Sequence, residues 1–336
     1  MKYTISTAIF LFFFQILSFS QQADSALLAT AKSHIRSGDY NNAIMMLNRA
    51  SENNPNSLEV QKDLAFAYYL KRDYVNALKV AKPFADRKDS DIQSFQILGM
   101  VYKAIEERKD CEKMYRAALK KFPKSGVLYN EYGEMIWTKD NFTESVKLWE
   151  KGIEADPNYS GNYYNAAKYY YFSPDKVWGL VYGEIFVNLE SYSKRTTEIK
   201  NLLVDGYKKL FSEADIMQKQ NLKNAFVKAF LENMKKQSGS VMSGVSTESL
   251  NILRTKFITD WYSRYAAKFP FRLFDHQQQL LKSGMFSAYN QWLFSESKDP
   301  TSYQAWTTSH SEEYTKFNNF QKNRIFKLPM GQYYGN

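Results

Sequence analysis

The chain has 336 residues, is 44% hydrophobic and 16% aromatic, and carries 45 Lys and Arg against 35 Asp and Glu, a formal net charge of +10. The single cysteine, Cys111, excludes an intrachain disulfide framework. The basic surplus is spread along the chain and interleaved with Asp and Glu, unlike the dense basic footprint of a nucleic-acid binder, so no nucleic-acid partner is expected.

The first twenty residues read as a targeting segment. Lys2 gives a positive start, Ala8 to Phe14 form an unbroken apolar run extended by Ile16 and Leu17, and Ser18-Phe19-Ser20 offers a cleavage site before Gln21. The run is shorter than the roughly 20 residues of a membrane span, and no later stretch reaches that length, so a cleaved secretory signal at 1–20 is expected and not an anchor. No cysteine follows the site to take a lipid. The remaining chain, with 44 basic and 35 acidic residues, is expected to be a soluble exported protein without stable membrane insertion, periplasmic or extracellular in a Gram-negative envelope.

From there to about residue 191 the chain repeats. In steps of 34 residues, Ala31, Ala65, Gly99, Gly133 and Ala167 form one row of small residues and Ala43, Ala77, Cys111, Ser145 and Gly179 another. Small residues make up roughly a quarter of an average chain, so ten small positions in these two rows amount to about a one-in-a-million draw. Two helices approach closely only where neither presents a bulky side chain. Bulky positions share the step: Tyr68, Tyr102 and Tyr170 follow the first row by three, and Leu47, Tyr115 and Trp149 follow the second by four. Pro55, Pro123 and Pro157 fall where a second helix must stop, and Gly38-Asp39-Tyr40, Asp73-Tyr74 and Asn141-Phe142 mark the turns.

Phe95, Leu98-Gly99, Tyr102, Cys111, Tyr115, Ala118 and Pro123 together resemble the signature of the tetratricopeptide repeat family. The resemblance covers about residues 24–191. It implies an all-α fold: a solenoid of about five helix-turn-helix repeats over 21–191, with a helical C-terminal region after it. The pattern departs twice. Pro83 falls inside the second helix of the second repeat, which predicts a kink or an early end, and Ser191 stands where the fifth repeat should have Pro. Cys111 sits in a small row, so it reads as packing and not as a nucleophile or a metal ligand.

The register also names a candidate partner-binding groove, because the first helices of such repeats line the inner curve with the face opposite the small row. Three lines of residues meet there: Lys62, Gln96, Asn130 and Tyr164; Phe66, Met100, Glu134 and Lys168; Tyr69, Lys103, Trp137 and Tyr171. An aromatic groove of mixed charge suits an extended or helical peptide held in apolar pockets. Some tetratricopeptide modules clamp a terminal carboxylate with matched Lys and Asn. Phe66 after Lys62 and Glu134 after Asn130 do not reproduce that clamp. Two arrangements satisfy the pattern: an open groove, or one filled by the C-terminal helices.

Residues 192–325 read as a helical C-terminal domain and 326–336 as a tail. Ile199, Leu202, Leu203, Tyr207 and Leu210 keep helical spacing, as do Leu222, Phe226, Phe230 and Met234. The Gly- and Ser-rich stretch 237–247 reads as a loop, after which Thr247 and Glu248 can cap a helix striped by Leu250, Leu253, Phe257, Trp261 and Tyr265. Phe269-Pro270-Phe271 breaks that helix, Gly284 ends the next, and Asp299-Pro300 opens a further one. The Pro270-Phe271-Arg272-Leu273-Phe274 and Ala288-Tyr289-Asn290-Gln291-Trp292-Leu293-Phe294 runs are similar to those of uncharacterised exported tetratricopeptide proteins of Bacteroidota. That likeness implies no activity.

Asp275, His276 and His310, with Asp260, are the only candidates for chemistry in this region. Sequence neighbours on a helix point about 100° apart, so Asp275 and His276 do not face each other. There is no metal-ligand spacing, Gly-rich phosphate loop or nucleophile elbow. No catalytic residue, metal or cofactor is therefore expected, and both histidines read as half-buried residues with hydrogen-bonded rings. The sequence predicts an interaction or assembly module; the alternatives are a helical enzyme of unrecognised type and a carrier of a small apolar or glycan ligand.

Overall fold

A computed structural model describes residues 25–335; the segment read as a signal lies outside the described residues. These residues are helical, with no strand among them. The chain divides at Pro123 and Lys124 into two compact units.

The described residues of the first unit form three helical hairpins. Helix α1 spans 25–37 and pairs with α2 (Tyr40–Asn53); α3 (Leu58–Leu70) and α4 (Tyr74–Ala85) follow, then α5 (Ile92–Ala104) and α6 (Arg108–Lys121). Each hairpin turn places one residue in the left-handed region, at Gly38 (φ 79°), Arg72 (φ 65°) and Glu106 (φ 59°), 34 residues apart. The next residue caps the second helix: Asp39 and Asp73 accept from the backbone N–H groups of Asn42 and Asn76. Helix α4, with Pro83 in its last turn, has 12 residues against 14 in α2 and α6, which is the early end predicted from sequence. Lys121 Nζ donates to the carbonyls of Arg87 and Lys88 and to Ser90 Oγ, closing the loop after α4.

In the second unit the step continues through α7 (Gly126–Trp137), α8 (Phe142–Ala155) and α9 (Ser160–Phe172). Asp140 (φ 57°) takes the left-handed turn position and Asn141 caps α8. One step on stands Pro174, whose ring fixes φ near −65° and forbids that turn. Accordingly α10 (Val177–Leu189) starts one residue late and without a side-chain cap. The following helix α11 (Lys194–Ser212) returns to register, since Gly126, Ser160 and Lys194 open their helices at 34-residue intervals. The helix starts thus run one step beyond the small rows, whose next positions are Asn201 and Glu213. Helix α11 packs instead through Gly183 and Gly206, where an added Cβ would stand 3.0 Å from Leu203 and Leu180 side-chain carbons.

The rows explain themselves in contact. A Cβ on Gly99 would stand 2.2 Å from the Tyr115 hydroxyl, and one on Gly133 2.3 Å from Trp149 Nε1. Where the partner position holds Leu47, Ala81 or Gly183, the first row affords Ala; where it holds Tyr115 or Trp149, the row has Gly. Cys111 is 1% exposed, as the second row requires. Gly133→Ala is expected to cost about 1–3 kcal/mol by overpacking. In a Trp149→Ala background, where the indole atoms at 2.3 to 2.9 Å are gone, the same change should cost clearly less, and urea denaturation of the four chains measures the coupling.

Helices α12 (Ala225–Gln237), α13 (Thr247–Arg264), α14 (Arg272–Lys282), α15 (Phe286–Phe294), α16 (Pro300–Ser309) and α17 (Ser311–Asn323) complete the second unit. Leu222 precedes α12, and the α13 cap is Ser246, one residue before the expected Thr247. Gly284 (φ 64°) ends α14 and Asp299 caps α16 ahead of Pro300, as read from sequence. The core of this unit is aromatic: Trp261, fully buried, packs its ring against Phe226, Phe257 and Phe274.

Candidate functional site

The groove candidates fall in both units. On α3 and α5, Phe66, Tyr69, Gln96 and Met100 are half-buried and Lys103 is exposed. Phe66 stacks near Tyr69 (6.4 Å between ring centres, 12° between planes), and Tyr69 leans on Tyr74. Lys62 is buried, and its Nζ lies 2.6 Å from Asp91 Oδ2, the N-cap of α5. The charge of Lys62 is therefore spent joining α3 to α5.

On α7 and α9 the candidates make contacts of their own. Asn130 is buried; its Nδ2 donates to Glu134 Oε1 (2.8 Å), its Oδ1 accepts from Asn165 (2.9 Å), and its carbonyl accepts from Trp149 Nε1 (3.2 Å). Trp137 keeps 38% of its surface exposed but packs on Phe142 and Trp149, with centroids 4.4 and 5.5 Å away. The remaining three meet α11. Tyr164 donates to Glu198, Lys168 pairs with Glu198 at 2.8 Å, and Lys209 Nζ stands 3.6 Å over the Tyr171 ring. The next helix in register fills this end of the face.

The candidates for chemistry do not converge. Asp275 accepts from Tyr262, whereas His276 lies among the rings of Tyr289, Phe320 and Phe326. His276 is 1% exposed and its Nε2 has no hydrogen-bond partner, so the expectation of a half-buried, bonded ring fails. Burial, reinforced by the guanidiniums of Arg324, Arg272 and Arg254, holds it well below the usual histidine range and therefore neutral. His310 stacks flat on Trp306 at 4.5 Å. Among the described residues no group of three or more His, Cys, Asp or Glu could hold a metal ion.

The sequence reading missed a buried polar network in the second unit. Glu184 of α10 accepts through Oε1 from Arg254 of α13, from Gln277 Nε2 of α14 (2.6 Å) and from the Tyr289 hydroxyl of α15 (2.8 Å). Tyr289 accepts in turn from Asn188 Nδ2 (2.7 Å), and Asn290 accepts from Arg254. All of these side chains are buried. The visible signal was an acid alone in the apolar run of α10, Val-Trp-Gly-Leu-Val-Tyr-Gly-Glu-Ile-Phe-Val-Asn-Leu. Oriented this way the network joins four helices, a structural task.

Hairpins that recur at a 34-residue step, four of them with a left-handed turn, and that pack internally through rows of small residues define a helical-repeat protein. Residues 25–57 match the tetratricopeptide repeat family model. The first hairpin is thus similar to a tetratricopeptide repeat. Tetratricopeptide repeat protein 21B of Mus musculus is 26% identical over 130 residues, 38% of this chain, which spans about a tenth (10%) of that relative's length. Among solved structures, a tetratricopeptide repeat protein from Parabacteroides merdae is similar at 14% identity and a TM-score of 0.43, over 90% of this chain and 100% of that one. YrrB, described as a tetratricopeptide repeat protein with an unusual peptide-binding site, is similar at 15% identity and a TM-score of 0.38, over 52% of this chain and 90% of that one.

Proposed function

We propose that this chain is an exported scaffold that holds a protein or peptide partner in the cell envelope. The observation that carries the reading is the contrast between the two ends of the repeat series. Tyr164, Lys168 and Tyr171 are engaged by α11, while Phe66, Tyr69, Gln96 and Met100 on α3 and α5 form a half-buried aromatic and thioether face with Lys103 exposed beside it. Half-buried aromatic and Met side chains give large contact area on a pre-formed surface. The partner face therefore belongs to the first unit, and the candidates on α7 and α9 serve packing. Among the described residues no helix is long and apolar enough to cross a membrane.

Two measurements test this. With the mature chain as bait in an envelope fraction, a recurring partner identified by mass spectrometry should be lost from Phe66→Ala and Met100→Ala chains whose melting temperatures are nearly unchanged. Trp137→Ala should instead lower the melting temperature, because its ring supports Trp149. A partner retained by both first-unit variants sinks the assignment. For export, N-terminal sequencing of the protein from fractionated cells should begin at Gln21; a cytoplasmic chain that keeps Met1 would refute it.

A further inference from the structure

The last residues of the chain are bound like a ligand. From Arg324 to Tyr334 the backbone forms neither helix nor strand, yet it is held at point after point along the second unit. Burial alternates: Phe326 and Leu328 are buried, whereas Ile325 is 78% exposed and Lys327 and Pro329 point outward. That two-residue period belongs to an extended peptide laid on a surface.

The anchors come in two kinds. Side-chain amides grip the main chain: Asn158 receives the Leu328 N–H at Oδ1 (2.9 Å) and donates from Nδ2 to the Leu328 carbonyl (3.0 Å), and Asn224 Nδ2 donates to the Tyr334 carbonyl (2.6 Å). Pockets take the alternate side chains. Arg324 donates to Asn188 Oδ1 (2.7 Å). The Phe326 ring has the guanidiniums of Arg272 and Arg324 5.4 and 5.5 Å from its centre and meets the His276 ring edge to face. Tyr334 stacks flat on Phe226 at 4.9 Å and donates its hydroxyl to the Pro270 carbonyl.

A bidentate amide on the backbone is indifferent to sequence, and pockets at alternate positions supply selectivity. This division of labour is the logic of extended-peptide recognition. We infer that the surface bounded by Asn158, Asn188, Arg272 and Asn224 is a peptide-binding groove, occupied in cis by residues 324–334. It takes extended segments with a basic residue, an aromatic and a leucine at alternate positions, followed by an aromatic hydroxyl six residues after the leucine. The groove is separate from the α3 and α5 face and does not depend on that assignment. The tethered segment competes at an effective concentration near the millimolar range, so a partner must displace it.

The test uses the full chain with Leu328→Asp, which places a charge in the leucine pocket and expels the segment. A fluorescent synthetic peptide of residues 323–335 should bind this variant saturably, at least tenfold more tightly than it binds the unaltered chain, and should raise the variant's melting temperature. The same peptide carrying Asp at the leucine position should not bind, and Asn158→Ala in the variant should weaken binding of the unaltered peptide. Equal binding of both peptides, or none to the variant, overturns the proposal. Hydrogen exchange on the unaltered chain gives a second readout that needs no variant. The Leu328 amide should exchange by a local opening well before the amides of α13, and adding peptide should speed it; exchange only with global unfolding overturns the inference.

Discussion

Glu184→Gln is expected to lower the unfolding free energy by about 3–5 kcal/mol, because it leaves the Arg254 guanidinium buried without the carboxylate that faces it. Arg254 is 1% exposed and is otherwise surrounded by Asn290 and the rings of Phe286, Tyr289 and Phe294, which are 5.0 to 5.7 Å away. Rings and an amide soften a cation but do not neutralise it. Removing both charges together, as Glu184→Gln with Arg254→Met, should cost less than the single change, since the orphaned charge disappears with its partner. Urea denaturation followed by tryptophan fluorescence reads both values. A single variant within about 1 kcal/mol of the unaltered chain would show that water reaches Arg254 and that the network is not dry.

The second large effect depends on pH. Burial pushes the Glu150 carboxyl up to about 7, with Asp175 adding to the shift and the Tyr170 hydroxyl, 2.6 Å from Oε1, opposing it. Asp175 is itself raised to about 6 by burial. A carboxyl raised in the folded state binds more protons there than in the unfolded chain between its ordinary value and 7, so stability falls as pH climbs through that window. The cost is absent at pH 4, where both states are protonated, and complete above pH 7. Glu150→Gln should therefore stabilise the protein by up to roughly 3 kcal/mol at pH 8 and by almost nothing at pH 4. Melting curves at the two pH values decide it, and an equal gain at both would show that the effect is not titration.

How much of this was legible in the sequence depends on the distance between interacting residues. The hairpins could be read because their determinants are local and repeated: Gly133 faces Trp149, 16 positions on, and the same pairing recurs one step earlier between Gly99 and Tyr115. Pro174 shows the same legibility in reverse, since one residue that cannot enter the left-handed region shifts the start of α10 by one. The network could not be read. Glu184 stood out as an acid in an apolar helix, but its partners lie 70, 93 and 105 residues away on helices without a common period. The grip of Asn158 on Leu328 spans 170 residues. For the candidate face, the register named side chains by position but not which of them later contacts would claim, as α11 claims Tyr164, Lys168 and Tyr171.

The left-handed turn residues at Gly38, Arg72 and Glu106 imply that the repeat series can grow. A duplicated block of 34 residues spliced between two such turns would bring its own cap, its own small residues and its own turn, and nothing upstream or downstream would change register. No such freedom exists at α10, where Glu184 and Asn188 are tied to helices far along the chain. Lengthening and shortening during evolution should therefore be confined to the hairpins before α9, while the last one descends as a fixed piece with the helices that follow it.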